Sequence, residues 1–478
     1  MEKLHLMSVI PALYIVVTSL VGAMSVRYTK DTQSFMTAKS LMGPTIVGIL
    51  LMSEFVATGS SLGTAESAYG KGISASWNVI SLGLAFVLYG IFMAPRFQAS
   101  GAYTISGAIG QKFGRGTQTV VSLIMIYALV VVNVAAFTGG GVLLSTMLGT
   151  SIQVGICIFG VASILNVTLG GIRGVGYSNL IHMFFKFVSL ISISAFAWYM
   201  LEHDPQAAAR IPAQHYSPTG VGVPTLFSWT FANIGAIFAT QYVIQSIASL
   251  TTPAQARKAS FIASVALVPA GLMAAFIGIA ARGVFPDIKP VLALPSFLTA
   301  MPSWMAGLAV MGIVAVTFVT ILACQIGTTA LVMSDFVIPL LKPDEQRKLV
   351  LTRGVSILVG LAPIPFALFV PGLLDTIFFA RALRTTIAVV AVFMFYLPSF
   401  TSGPAAVVGL LGSVVATSTW FALGNPFGID NVYVAIATPA LCLLAGRLLK
   451  GPAPMRNGSR LTRPILVDTG ALPAAKPK

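Results

Sequence analysis

Long apolar runs separated by short polar intervals dominate the chain. With a spanning length of about 20 residues, the runs fall near 7–25, 43–69, 75–95, 119–148, 151–170, 176–201, 225–248, 259–281, 304–340, 350–370, 373–398, 404–424 and 431–449, which predicts an all-α membrane protein of about thirteen transmembrane helices. The first run has no clear small-residue cleavage site after it and is read as a retained helix. Residues 43–72 depart from the pattern. This segment opens as an apolar span, but Glu54 is followed by Thr58, Gly59, Ser60, Ser61, Gly63 and Thr64 at a depth where Leu and Val are expected. Backbone that polar is tolerated at mid-membrane only inside protein or along a cavity. A helix broken there offers carbonyls and a helix end to a bound ion or solute, as in secondary transporters.

Composition agrees with this pattern and narrows the function. The 478 residues are 56% hydrophobic and 9% charged, with a mean hydropathy of +0.90, more apolar surface than a soluble core can bury. The net charge of +15 is spread singly over loops, so it is read as topology and not as a nucleic-acid surface. An extracellular N-terminus leaves only Lys3, Lys71, Arg210, Arg282 and Lys289 outside and puts the other loop cations, with those of the tail, in the cytoplasm. The expected location is therefore the cell's inner (plasma) membrane, with a cytoplasmic C-terminus. Residues 451–478 read as a disordered basic tail. The interval 284–303 spaces its apolar residues like a short interfacial helix, read as a packed connector in preference to an external gate. Cys157, Cys324 and Cys442 show no metal or disulfide spacing. No phosphate loop, GxSxG or HExxH is present, so neither an ATP-driven pump nor an enzyme is indicated and no organic cofactor is expected. Gly139-Gly140-Gly141 follows helical sequence and reads as a close helix contact.

Four patches then line up in order: Leu62-Gly63 with Ala68-Tyr69-Gly70 and Gly72; Gly170-Gly171-Ile172 through Tyr177-Ser178-Asn179-Leu180-Ile181-His182; Trp229 to Gln241-Tyr242 with Ala254-Gln255-Ala256-Arg257-Lys258; and Thr320, Cys324-Gln325 and Ser334-Asp335. Together they resemble the sodium:solute symporter family from about residue 7 to 448. The resemblance implies a leucine-transporter-like fold with a 5+5 inverted repeat and a discontinuous first core helix. It implies an extra N-terminal helix and loop at 1–42, a first repeat at 43–202, a second at 203–398 and two accessory helices at 399–450. It implies a small organic solute as partner and Na+ as coupling ion, held by the carbonyls of Ser53, Val56 and Val316 and by side-chain oxygens at Val319 and Thr320. It places solute contacts at Thr58, Gly59, Ser60, Ser76, Trp229, Asn233, Gln241 and Arg381. This chain departs from the family pattern at Val319, where a hydroxyl is lost, at Asn179, where a carboxylate is lost, and at Phe55, whose expected carboxylate falls on the adjacent Glu54.

Ionisable side chains inside spans usually face a cavity or a partner. Lys186 stands at the height of the proposed ion site, either as an ammonium in sodium's place or proton carrier, or as a counter-charge to Glu54. Arg381 and Arg384 lie one turn apart, where Arg381 could fork onto a solute carboxylate; equally, both fit a helix that starts lower than the apolar run suggests. His182 and Glu66 read as structural. The coupling ion stays open between Na+ and H+, with Glu54, Lys186 and Asn179 as candidates. A non-concentrating channel or a sensor on the same fold is the alternative class, and the oligomeric state is left open.

Overall fold

The computed structural model describes residues 9, 10, 13, 14, 16–18, 20, 43–369, 373–400 and 402–450, with backbone only at 170–178 and 450. Most of the 7–25 run, the loop carrying Arg27, Lys30 and Lys39, the side chains of Gly170 to Ser178 and the tail from 451 lie outside the described residues. Every regular element among the described residues is helical.

The expected first repeat opens with two half-helices, α1 (Pro44–Phe55) and α2 (Thr58–Lys71). It continues with α3 (Trp77–Phe92), the short α4 (Ala94–Ser100) and α5 (Ile105–Phe113), α6 (Arg115–Leu148) and α7 (Ile152–His203). α7 contains two crossings. Phe159 and Ile164 run beside Phe318 and Gln325 in the same order, whereas Ser189 and His182 meet Ala309 and Phe318 in the opposite order. The chain direction therefore reverses between Leu169 and Asn179.

The second repeat also opens broken, with α8 (Val223–Ala239) and α9 (Gln241–Ala248). α10 (Pro253–Val284), α11 (Ala293–Ala300), α12 (Ser303–Val332), α13 (Glu345–Leu361) and α14 (Leu373–Tyr396) follow. Two accessory helices, α15 (Gly403–Ala422) and α16 (Asn431–Lys450), pack on each other and on α14. An odd number of crossings per repeat means that the second enters from the opposite face, which is the inverted 5+5 arrangement.

Ten helical stretches among the described residues are long and apolar enough to span a membrane. The thirteen expected segments reconcile with these because the two broken helices fall short of the length or are merged with a neighbour, and the first run is mostly undescribed. Val265, Val408, Val415 and Leu441 point outward, as lipid-facing side chains do. α12 is the central helix, with nearly every residue from Ala309 to Leu331 buried.

Close approach is obtained by removing side chains. A Cβ on Gly140 would stand 2.7 Å from the Phe159 ring and 2.8 Å from Thr317, so the triple glycine does serve helix contact. A Cβ on Gly312 would meet Phe185 and Ser189 of α7 at 2.1 and 2.2 Å. α12 is thus pressed against the turn of α7 that carries Lys186. α11 buries Leu294, Phe297 and Leu298 and lies against α2, so the short helix expected within 284–303 is present and packed as a connector.

Candidate cation and solute site

The first break is two residues long. Val56 has φ −77° and ψ 72°, and Ala57 is extended at φ −125° and ψ −175°. In an unbroken helix the Ala57 amide would donate to the Ser53 carbonyl; here it donates to Ser60 Oγ at 2.8 Å. Ser60 Oγ in turn donates to the Phe55 carbonyl. The Ser53 carbonyl is therefore an orphan at the C-terminal, negative end of a half-helix, which favours a cation.

Lys186 supplies that cation. Its side chain is wholly buried, and Nζ donates to the Ser53 carbonyl at 2.6 Å and to Ser53 Oγ at 3.3 Å. Ser53 Oγ donates onward to Asn179 Oδ1 at 2.6 Å, so Asn179 orients the hydroxyl. Glu54 lies within electrostatic reach of Lys186, but no ion pair joins them among the described residues. Glu54 Oε2 is buried without a partner. Lys186 thus makes its contact with the helix end and acts on Glu54 through space, without an ion pair.

Of the other proposed cation ligands, Val56 lies in the break itself and Val316, Val319 and Thr320 lie on α12. Thr320 Oγ1 donates to the Val316 carbonyl at 3.1 Å and accepts from the Thr58 amide at 3.3 Å, with Thr58 Oγ1 at 3.4 Å. Thr320 therefore bridges α12 to the first residue beyond the break. Val319 is buried and contributes no oxygen.

The solute candidates divide. Asn78, which the sequence reading passed over, is a junction. Its Nδ2 donates to the Gly59 carbonyl at 3.0 Å and to Thr64 Oγ1 at 2.8 Å, and its Oδ1 accepts from Arg381 Nη1 at 2.6 Å. Its carbonyl accepts from Asn233 Nδ2 at 2.9 Å. The Arg381 guanidinium lies over the Phe378 ring at 4.6 Å, and Phe378 stacks on Trp229 at 5.0 Å. Thr58, Gly59, Trp229, Asn233 and Arg381 therefore belong to one buried polar layer. Ser60 is used by the break, Ser76 Oγ donates to its local Ile73 carbonyl at 2.7 Å, and Gln241 bonds the backbone of Ile105 and Tyr103 at 3.0 and 3.1 Å. These three are occupied elsewhere.

The second break was not foreseen. Thr240 leaves helical geometry at φ −63° and ψ 126° between α8 and α9, and its Oγ1 accepts from Arg384 Nη1 at 2.8 Å. The only cues were Thr240 and Gln241 in an otherwise apolar run. His182 is bonded to Tyr14 Oη of the N-terminal segment and lies edge-on to Phe318. Glu66 is half-buried on α2, beside a cavity of about 650 Å³ that also involves Lys289. Asp335 closes the opposite end of α12. On the π-helical turn Met333–Val337 it accepts from Ser106, Ser122, Gln118 (2.8 Å) and Ser334 (2.7 Å).

Comparison with known proteins fits this geometry. The model of the sodium:solute symporter family matches residues 35–412. The human high affinity choline transporter 1 is 23% identical over 248 residues, covering 50% of this chain and 42% of that protein. The sodium/glucose cotransporter of Vibrio parahaemolyticus is 21% identical over 365 residues, covering 68% of this chain and 66% of that protein. Both matches span less than two-thirds of the relative's length. Among solved structures, a Na+-coupled sialic acid symporter in a substrate-bound outward-open state superposes with a TM-score of 0.79 at 18% identity, over 94% of this chain and 98% of that one. MhsT in complex with L-phenylalanine gives 0.59 at 13% identity, over 86% and 99%. These likenesses establish the fold, an inverted-repeat, multi-pass membrane transporter architecture.

Proposed function

Because the chain belongs to the sodium:solute symporter family, we propose that it is a secondary active transporter that moves a small organic anion, a carboxylate or amino acid, by alternating access, with Lys186 standing in the family's cation position. The observation that carries this reading is the Lys186 Nζ contact with the Ser53 carbonyl at 2.6 Å. A helix end that needs a cation already has a covalently attached one. The site has also lost a hydroxyl at Val319 and a carboxylate at Asn179 that would favour Na+. An added Na+ about 4 Å from the ammonium would meet a repulsion on the order of 4 kcal/mol at an effective dielectric of 20. Lys186 can instead gain and lose a proton as the break is wetted and closed, which makes H+ the coupling ion. No organic cofactor enters the cycle, and the Lys/Arg bias supports insertion in the inner membrane with the N-terminus outside.

Arg381 supports the anionic solute. It is buried, held by Asn78 and Phe378, and set in the layer between the two helix breaks, where its guanidinium suits a carboxylate. A second reading, Na+ coupling at the same place, is favoured by Thr320 Oγ1 and the Val316 carbonyl beside the break.

The test is accumulation in proteoliposomes. A transporter concentrates labelled carboxylate or amino acid above the external level when an ion gradient is imposed. Uptake that stops at equal concentrations under every gradient would replace this reading with a channel or a sensor.

A further inference from the structure

The central layer carries more positive charge than it balances. Arg381 and Arg384 are both buried, at 5% and 3% exposure. They sit one turn apart on α14, near enough to repel each other. Their hydrogen-bond partners among the described residues carry no full charge: Asn78 Oδ1 for Arg381, and Thr240 Oγ1, the Ala380 carbonyl and the Tyr242 hydroxyl for Arg384. The groups around them from neighbouring elements are Tyr242 of α9, Cys324 of α12 and Glu54 of α1. Of these only Glu54 is acidic, and it lies within reach of Lys186. If Lys186 and Glu54 are both charged they cancel, and if both are neutral they contribute nothing, so that two guanidinium charges remain; only with Lys186 neutral and Glu54 ionised is one of the two answered.

Other carboxylates are distant, exposed or engaged: Asp375, on α14 itself, is exposed to the surroundings six residues before Arg381, about 9 Å along the helix. Asp335 is fifteen residues along α12 from Thr320, about 22 Å at the rise of a helix, and is bonded to four side-chain donors. Glu66 is seven residues beyond Gly59 on α2, about 10 Å toward the other end. The inverted repeat makes the arrangement systematic. In each half the fifth crossing brings a basic side chain to that half's broken helix, Lys186 to Ser53 and Arg384 to Thr240. In the second half no acidic residue answers it, and Arg381 adds a second charge.

Buried charge is stable only when paired, and a guanidinium leaves donors free after one or two bonds. We propose that Arg381 and Arg384 form a two-point site for a solute with two acidic groups, a short dicarboxylate, which supplies the two missing negative charges. One carboxylate lies against Arg381 between Asn78 and Phe378, and the other against Arg384 at the second helix break. A monocarboxylate answers one charge and leaves the other buried alone. The proposal rests on the reading of this layer as the solute site of a transporter.

The experiment measures binding separately from transport. The full-length purified protein is titrated by calorimetry and thermal shift with succinate and glutarate, with butyrate and valerate as length-matched monocarboxylates, and with glucose. The expected result is that a dicarboxylate binds about ten-fold or more tightly than its matched monocarboxylate, and that glucose does not bind. Arg384→Gln should collapse the preference to monocarboxylate level, while Arg384→Lys keeps most of it and controls for a folding defect. Equal affinity for mono- and dicarboxylates, binding of glucose alone, or no binding of any tested anion overturns the proposal. Dicarboxylate binding without accumulation in proteoliposomes supports the site and refutes the transport reading instead.

Discussion

Replacing Lys186 by Met keeps the length and apolar stem of the side chain and deletes the ammonium. The Ser53 carbonyl then loses a hydrogen bond of 2.6 Å and Ser53 Oγ one of 3.3 Å. A hydrogen bond to a charged group contributes about 1.5–3 kcal/mol, which is roughly 10- to 150-fold in any equilibrium between a state that has the bond and one that lacks it. Stability is a poor readout. Burying the ammonium costs several kcal/mol, so its removal offsets much of the lost bond. The equilibrium between the two access states is the better quantity, because Lys186 ties α7 to the helix end beside the break. Cysteine accessibility on the two faces of reconstituted protein should shift by an order of magnitude or more in Lys186→Met. Solute accumulation should lose its dependence on a pH gradient. A variant with wild-type accessibility and the wild-type pH response would refute the reasoning and leave Lys186 as structural packing.

Three further outcomes are expected. Thr320→Val removes the acceptor of the Thr58 amide and leaves a buried donor, at a cost of about 1–3 kcal/mol. Uptake at limiting cation should fall, and an unchanged uptake curve for both Na+ and H+ would show that the site lies elsewhere. Arg381→Lys keeps the charge but loses the planar fork held by Asn78 and Phe378; affinity for carboxylates should drop about ten-fold with little change in thermal midpoint, since the two are not interchangeable where recognition is planar. Asp335→Asn gives up acceptor capacity toward Ser106, Ser122, Gln118 and Ser334, each charge-assisted bond being worth about 1.5–3 kcal/mol. The thermal midpoint in detergent should fall, and a midpoint unchanged from wild type would show that this cluster does not close the end of α12.

The two broken helices show what sequence makes legible. Gly59, Ser60 and Ser61 interrupt the first with residues too polar for lipid, and that conflict is visible in one dimension. Thr240 interrupts the second with a single hydroxyl among Ala, Phe and Ile, and the stabilising partner, Arg384, is 144 residues away. Lys186 stood out because an ammonium at mid-depth is rare. Sequence offers it two places, sodium's position in the cation site or a counter-charge to Glu54, and does not choose between them. The actual contact is a backbone carbonyl, freed because Ser60 takes the Ala57 amide, and such local competition has no signature in residue type. Asn78 went unmarked as one amide in an apolar helix, yet five hydrogen bonds converge on it. Ser76 and Gln241 drew attention as polar residues in spans, and nearby backbone groups occupy both.

The claim that a built-in cation replaces sodium is tested most directly in sodium-free proteoliposomes with an inwardly directed proton gradient. The account predicts that the wild-type protein accumulates its carboxylate solute there, that a protonophore abolishes the accumulation, and that adding Na+ does not raise it. Accumulation that requires Na+ and is indifferent to the proton gradient, in wild type and in Lys186→Met alike, would contradict it.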